Sequence, residues 1–117
     1  MKLKIYAYKN CDTCRKAIRY LEGRKVRFEV IPIREQPPTF DELVKMLRVY
    51  KGELRRLFNT SGQDYKAMDL KSKLPTLSEK EALDLLTQNG NLVKRPFLLT
   101  DSGGAVGFKE DEWKALP

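Results

Sequence analysis

Three observations predict an α/β fold: a β-α-β pattern in the first third of the chain, helical periodicity through the middle, and a return of strand pattern around turn residues near the end. Residues 2–8 alternate, with Leu3, Ile5 and Ala7 on one side and Lys4, Tyr6 and Tyr8 on the other, which reads as a strand. Cys14, Ala17, Ile18 and Leu21 then recur at helical spacing, with Arg15 and Arg19 off that face, and Gly23 is expected to stop the helix. Val26, Phe28 and Val30 alternate with Ile31 and Ile33 opposite, which reads as a second strand, parallel to the first because a helix joins them.

Pro37 and Pro38 break the chain. Thr39 and Glu42 form a capping-box pattern, and Leu43, Met46, Leu47 and Tyr50 mark the apolar face of the helix it opens. A looser helical region runs through Leu54, Leu57 and Phe58 to a turn at Ser61-Gly62, and one more short helix is expected over 65–70. Ser78 and Glu81 repeat the capping-box pattern ahead of Ala82, Leu85 and Leu86, and this helix is expected to stop near Asn89-Gly90. Residues 39–88 therefore read as an all-helical block. Two apolar runs, 96–99 and 105–108, flank Asp101-Ser102-Gly103-Gly104 and predict a hairpin, followed by a closing helix over 110–116.

The 117 residues are long enough for one domain, 1–117, with its own core and no structural disulfide. No stretch approaches the roughly 20 apolar residues of a membrane span, and the N-terminus lacks the apolar centre of a secretory signal. A cytoplasmic location is expected, where a cysteine pair is more often working than structural. The absence of histidine removes the commonest general base and metal ligand, and two cysteines do not make a zinc site, so neither a metal nor a bound cofactor is expected. Of the net charge of +7, much lies in residues 15–27, where Arg15, Lys16, Arg19, Arg24, Lys25 and Arg27 face only Glu22. Such a cluster attracts phosphate, carboxylates, an oxyanion or nucleic acid, though the plainer reading is a solvated helix face. Tyr20 is the only aromatic residue in its midst before Phe28, which disfavours direct nucleic-acid binding.

Cys11 and Cys14 are the only cysteines, two residues apart at the strand-to-helix boundary. C-x-x-C beside a β-α-β pattern reads as a thioredoxin-like redox motif. Free N–H groups and the macrodipole at a helix N-terminus favour a thiolate, and the thiolate is the nucleophile. Cys11 is therefore expected to attack, with a pKa lowered further by Arg15 and Lys16. Cys14, on the apolar face, is expected to be buried and to resolve, since residues at this spacing approach the roughly 4.4–6.8 Å Cα separation of a disulfide. The plainer reading is two small buried residues. Asp12 and Thr13 are candidate caps of the same helix.

Arg95-Pro96 opens the third strand, where a proline costs no ladder bond. A cis bond there brings backbone polar groups and the Arg95 guanidinium, suited to a bidentate grip on an oxyanion or carboxylate, towards Cys11; a trans bond with an exposed arginine is the plainer alternative. Residues 59–62, Asn-Thr-Ser-Gly, read either as a polar loop facing the thiols or as a helix-ending turn.

Residues 8–17 (Tyr-Lys-Asn-Cys-Asp-Thr-Cys-Arg-Lys-Ala), 37–43, Phe58-Asn59-Thr60-Ser61-Gly62, Lys94-Arg95-Pro96 and 106–111 together resemble the ArsC-like arsenate reductase family, the ArsC/Spx/YffB/YusI group. The resemblance covers nearly the whole chain and falls nearest the uncharacterised ArsC-like branch. It implies a thioredoxin-like mixed sheet with a helical insertion at about 39–88, and a cis Pro96. The family's arsenate reductases use one thiol at the position of Cys11, ringed by three arginines. Arg95 matches one of these, while Asn59 and Phe108 occupy the other two positions. Cys14 is similar to the Spx branch, whose members carry a C-x-x-C redox switch and bind RNA polymerase. The expected activity is that of a thiol-disulfide oxidoreductase with Cys11 and Cys14 catalytic and Arg95, Pro96, Arg15 and Asn59 binding substrate or anion. Glutathione, glutaredoxin or thioredoxin is the expected reductant. The alternative is an Spx-like redox-sensing regulator that binds the RNA polymerase α C-terminal domain.

Overall fold

The computed structural model describes residues 2–115, and the end of the expected closing helix at Leu116 lies outside them. Four strands, β1 (Lys2–Ala7), β2 (Arg27–Pro32), β3 (Phe97–Leu99) and β4 (Gly104–Val106), form one mixed sheet in the order β2-β1-β3-β4. β1 runs parallel to β2, with Ile5 opposite Val30, and antiparallel to β3, with Ile5 opposite Leu98; β4 returns antiparallel to β3. The parallel crossover is made by α1 (Asp12–Gly23), as the β-α-β pattern predicts.

Alternation along the strands divides the core in two. Leu3, Ile5, Ala7, Leu98 and Ala105 pack with Cys14, Ala17 and Leu21 of α1 and with Trp113 of the closing helix α6 (Glu110–Lys114). Tyr6, Ile31, Phe97, Leu99 and Val106 face the opposite way into the larger cluster. That cluster is supplied by the inserted helices α2 (Phe40–Val49), α3 (Gln63–Ala67), α4 (Leu70–Lys73) and α5 (Glu79–Gln88). Both faces of the sheet are therefore covered, and this mixed sheet with helices inserted between β2 and β3 has the thioredoxin-like arrangement.

Both capping boxes form: Thr39 Oγ1 accepts the Glu42 N–H while Glu42 accepts the Thr39 N–H, and Ser78 and Glu81 do the same. Several local expectations are corrected. Gly23 is the last residue of α1 rather than its stop: the Arg24 N–H still reaches the Tyr20 and Leu21 carbonyls, and the chain turns left-handed at Lys25, φ 58°. On the edge strand β2 the two sides alternate as expected, with Val30 exposed and Ile31 buried. The buried face of α5 is Ala82, Leu83 and Leu86, with Leu85 half-buried. The single helix expected over 65–70 is two short ones, broken at Asp69, φ 52°. Phe58 leaves the helical pattern to make an isolated antiparallel bridge with Val93, which pins the block to the approach to β3.

Candidate functional site

The site is assembled where β1 ends. The Cys11 N–H bonds the Tyr8 carbonyl at 3.1 Å, turning the chain, and the Arg15 N–H bonds the Cys11 carbonyl at 3.0 Å, opening α1. Cys11 itself is the N-cap, in extended backbone, and its Sγ accepts the Cys14 N–H at 3.4 Å. Asp12 and Thr13 therefore do not cap the helix, contrary to expectation; both lie inside its first turn, and the position usually taken by a serine or aspartate oxygen is taken by sulfur.

The two thiols differ in environment. Cys11 is half-buried and reachable, whereas Cys14 is fully buried between α1 and the sheet. Burial pushes the Cys14 thiol up to about 12, with the adjoining Cys11 thiol acting in the same direction and the Tyr8 backbone and Arg95 charge opposing it.

The Arg95–Pro96 peptide is cis. The Pro96 carbonyl is taken by the Gly107 N–H at 2.8 Å, so it belongs to the hairpin. The Arg95 guanidinium lies 5.3 Å from the centre of the Tyr8 ring, and its Nη1 is buried without a hydrogen-bond partner among the described residues. Arg34, which the sequence did not mark, lies 4.9 Å from the same ring centre and donates to the Tyr8 hydroxyl at 2.9 Å. Asn10 donates to that hydroxyl as well, at 3.2 Å. The Asn10 hydrogen bond lowers the Tyr8 pKa most; burial opposes it, and Arg34 and the Lys9 charge add to the lowering. Tyr8 thus carries two arginines beside the thiol loop. The sequence signal for it was its place three residues before Cys11; nothing local pointed to Arg34.

The other expected site residues are less central. Arg15 is exposed, its Nε on the Lys9 carbonyl at 3.0 Å and its Nη1 on Asp12 at 2.8 Å. The Asn59 backbone frames a turn, donating to Leu92 at 2.7 Å and accepting from Gly62 at 3.0 Å. Its neighbour Thr60 lines a cavity of about 410 Å³ beside Arg95, together with Thr13 of α1 and Phe108. Phe108 stacks edge-on against Trp113, ring centres 4.9 Å apart, so an apolar wall stands there. Among the described residues no group of three His, Cys, Asp or Glu side chains is placed to hold a metal ion, and no helix is long and apolar enough to cross a membrane.

Residues 6–116 match the family model described as the ArsC family. The chain is 42% identical to the uncharacterized protein YusI of Bacillus subtilis (strain 168) over 97% of both chains. It is 29% identical to the global transcriptional regulator Spx of Streptococcus mutans, over 92% of this chain and 77% of that one. A crystal structure from Bacteroides fragilis, described as ArsC family related, superposes with a TM-score of 0.92 at 39% identity, covering 100% of this chain and 98% of the other.

Proposed function

The chain belongs to the ArsC family, and from that premise we propose that it is a cytoplasmic thiol-disulfide oxidoreductase in which Cys11 is the nucleophile and Cys14 the resolving thiol. The observation that carries this reading is the asymmetry of the pair. A reachable sulfur at the helix N-cap receives a backbone N–H, and a fully buried thiol sits one turn behind it. The thiolate is the attacking form of a cysteine, and the reachable sulfur is the one a substrate disulfide can meet. The buried thiol stays protonated until it is needed.

The Cys11 thiolate attacks one sulfur of a substrate disulfide, forming a mixed disulfide and expelling the other sulfur as thiolate. Cys14 then attacks the Cys11 sulfur. Its proton passes to the departing thiolate, and the two electrons given to the substrate leave a Cys11–Cys14 disulfide. A thiol reductant, glutathione or a glutaredoxin or thioredoxin dithiol, restores the pair. Arg95 supplies the charge that orients the substrate, since its Nη1 has no hydrogen-bond partner among the described residues. With Asn59 in a turn and Phe108 in an apolar wall, a three-arginine oxyanion cage is not assembled from the expected positions, which favours a disulfide over arsenate as substrate.

The test uses a glutathione mixed disulfide as substrate. Cys14→Ser is expected to accumulate an adduct one glutathione heavier at Cys11, and Cys11→Ser to lose turnover. Parental turnover by Cys11→Ser ends the proposal.

A second reading is supported by the relative named as a global transcriptional regulator: the thiol pair acts as a redox sensor and the protein contacts the RNA polymerase α C-terminal domain. Pull-down in both redox states tests it, and failure to capture that domain in either state excludes it.

A further inference from the structure

The cavity beside Arg95 is lined by five cations, Arg55, Arg56, Lys94, Arg95 and Lys109, and no acidic side chain; Thr13, two residues along α1 from Cys11, also lines it. These cations come from three separate segments. Arg55 and Arg56 sit on a 3-10 turn (Leu54–Leu57), Lys94 and Arg95 precede β3, and Lys109 follows β4. Of these five cations only Lys109 has a carboxylate partner among the described residues, Glu112 at 4.0 Å. Arg56 lies 4.5 Å from the centre of the Tyr50 ring, and Arg95 against Tyr8. Both contacts fix a guanidinium without neutralising it. Converging like charges in a concave site costs stability and focuses a positive potential, a cost that a bound anion offsets. At about 410 Å³ the space exceeds what a single small oxyanion fills, and its cations are supplied by three separate segments of the chain.

Resting on the thiol-disulfide reading, we propose that the substrate is a protein or peptide disulfide flanked by acidic residues, and that its acidic segment docks in this cavity while its disulfide meets Cys11. The cavity selects substrate through several carboxylates at once. The interaction is electrostatic, so it acts on capture and weakens with salt.

Three synthetic peptide disulfides, identical except for Glu, Gln or Lys flanks, provide the test. The parent protein is expected to reduce the Glu-flanked peptide with a kcat/KM on the order of tenfold above the Gln-flanked one at low salt, the Lys-flanked peptide being worst. The preference shrinks at high salt, and Arg55→Gln/Arg56→Gln brings it towards unity. Independently of turnover, a fluorescent, reduced Glu peptide is expected to bind the Cys11→Ser protein with salt-sensitive affinity. Reduction of all three peptides at equal kcat/KM overturns the acidic-substrate proposal and leaves the thiol chemistry standing. Failure to reduce any of them, with the Glu peptide still bound by Cys11→Ser, sinks the chemistry and keeps the docking site. Displacement of that peptide by a single-stranded oligonucleotide more readily than by the unlabelled Glu peptide also overturns the proposal, in favour of a phosphate backbone.

Discussion

Cys14 donates its backbone N–H to the sulfur of Cys11 at 3.4 Å while its own thiol is sealed against the sheet. One residue thus donates to its neighbour's sulfur and withholds its own from solvent. The division follows from helix geometry, since the N-cap reaches the N–H three residues on while the side chain of that residue turns towards the core.

Alkylation should separate the two thiols. With a pKa of about 12, Cys14 is ionised to only about 0.01% at pH 8, and it is buried besides. Iodoacetamide at pH 8 is expected to modify Cys11 alone, read by peptide mass mapping. Equal labelling of the native protein at both sites would contradict the asymmetry. Because folding raises the Cys14 pKa above its ordinary 9.0, its contribution to stability is full below pH 9 and is lost as pH rises towards 12. Cys14→Ala is therefore expected to show a shallower alkaline decline in Tm than the parent, whatever its Tm at pH 7.

Tyr6 and Glu42 lock the helical block to the sheet. The Tyr6 hydroxyl donates to Glu42 at 2.6 Å, the same oxygen accepts the Thr39 N–H at 3.0 Å, and Lys4 pairs with the other oxygen at 3.2 Å. Burial raises the carboxyl pKa, but Tyr6, Thr39 and Lys4 together outweigh it and hold Glu42 below the ordinary 4.5. Its stabilisation is present above pH 4.5 and lost as pH falls through the lowered value. Tyr6→Phe is expected to cost about 1–3 kcal/mol in urea unfolding at pH 7. The deficit narrows below pH 4; a deficit constant across this range would assign the effect to packing instead.

Gly90 has no room for a side chain. A Cβ there would lie 1.8 Å from the Ile33 carbonyl oxygen and 3.0 Å from the Arg34 Cα, both backbone. Gly90→Ala must push the end of the helical block off the segment after β2, at a cost of roughly 2–4 kcal/mol. Because that segment carries Arg34, thermal unfolding should show the loss together with altered Tyr8 ultraviolet absorbance. A change in Tm under one degree would refute it.

Trp113 anchors α6, with its Nε1 donating to the Gly107 carbonyl at 3.1 Å and its ring against Phe108 and Tyr20. Trp113→Phe keeps the apolar contact but leaves that carbonyl unpaired, for an expected loss of about 1–2 kcal/mol. Trp113→Ala is expected to lose about 3–5 kcal/mol. Denaturant melts followed by far-ultraviolet circular dichroism distinguish the two, and equal losses would remove the packing argument.

The sequence by itself determined the order of elements, both capping boxes and the place of the cysteines at a strand-to-helix boundary. Each of these rests on neighbours within three or four positions, where periodicity and side-chain-to-backbone bonds operate. The same locality explains the misreadings. Gly23 looked like a stop because glycine permits a left-handed turn, yet Lys25 makes it; Asp12 and Thr13 looked like caps because oxygen is the usual acceptor, yet sulfur serves.

Only the tertiary structure decided what surrounds Cys11. Arg34 and Arg95 meet on Tyr8, and Arg55, Arg56, Lys94 and Lys109 converge on one cavity, because the helical block folds back across the sheet and Phe58 bridges to Val93. Charges brought together from distant segments leave no local periodic trace; their meeting is fixed by how the apolar faces beneath them pack.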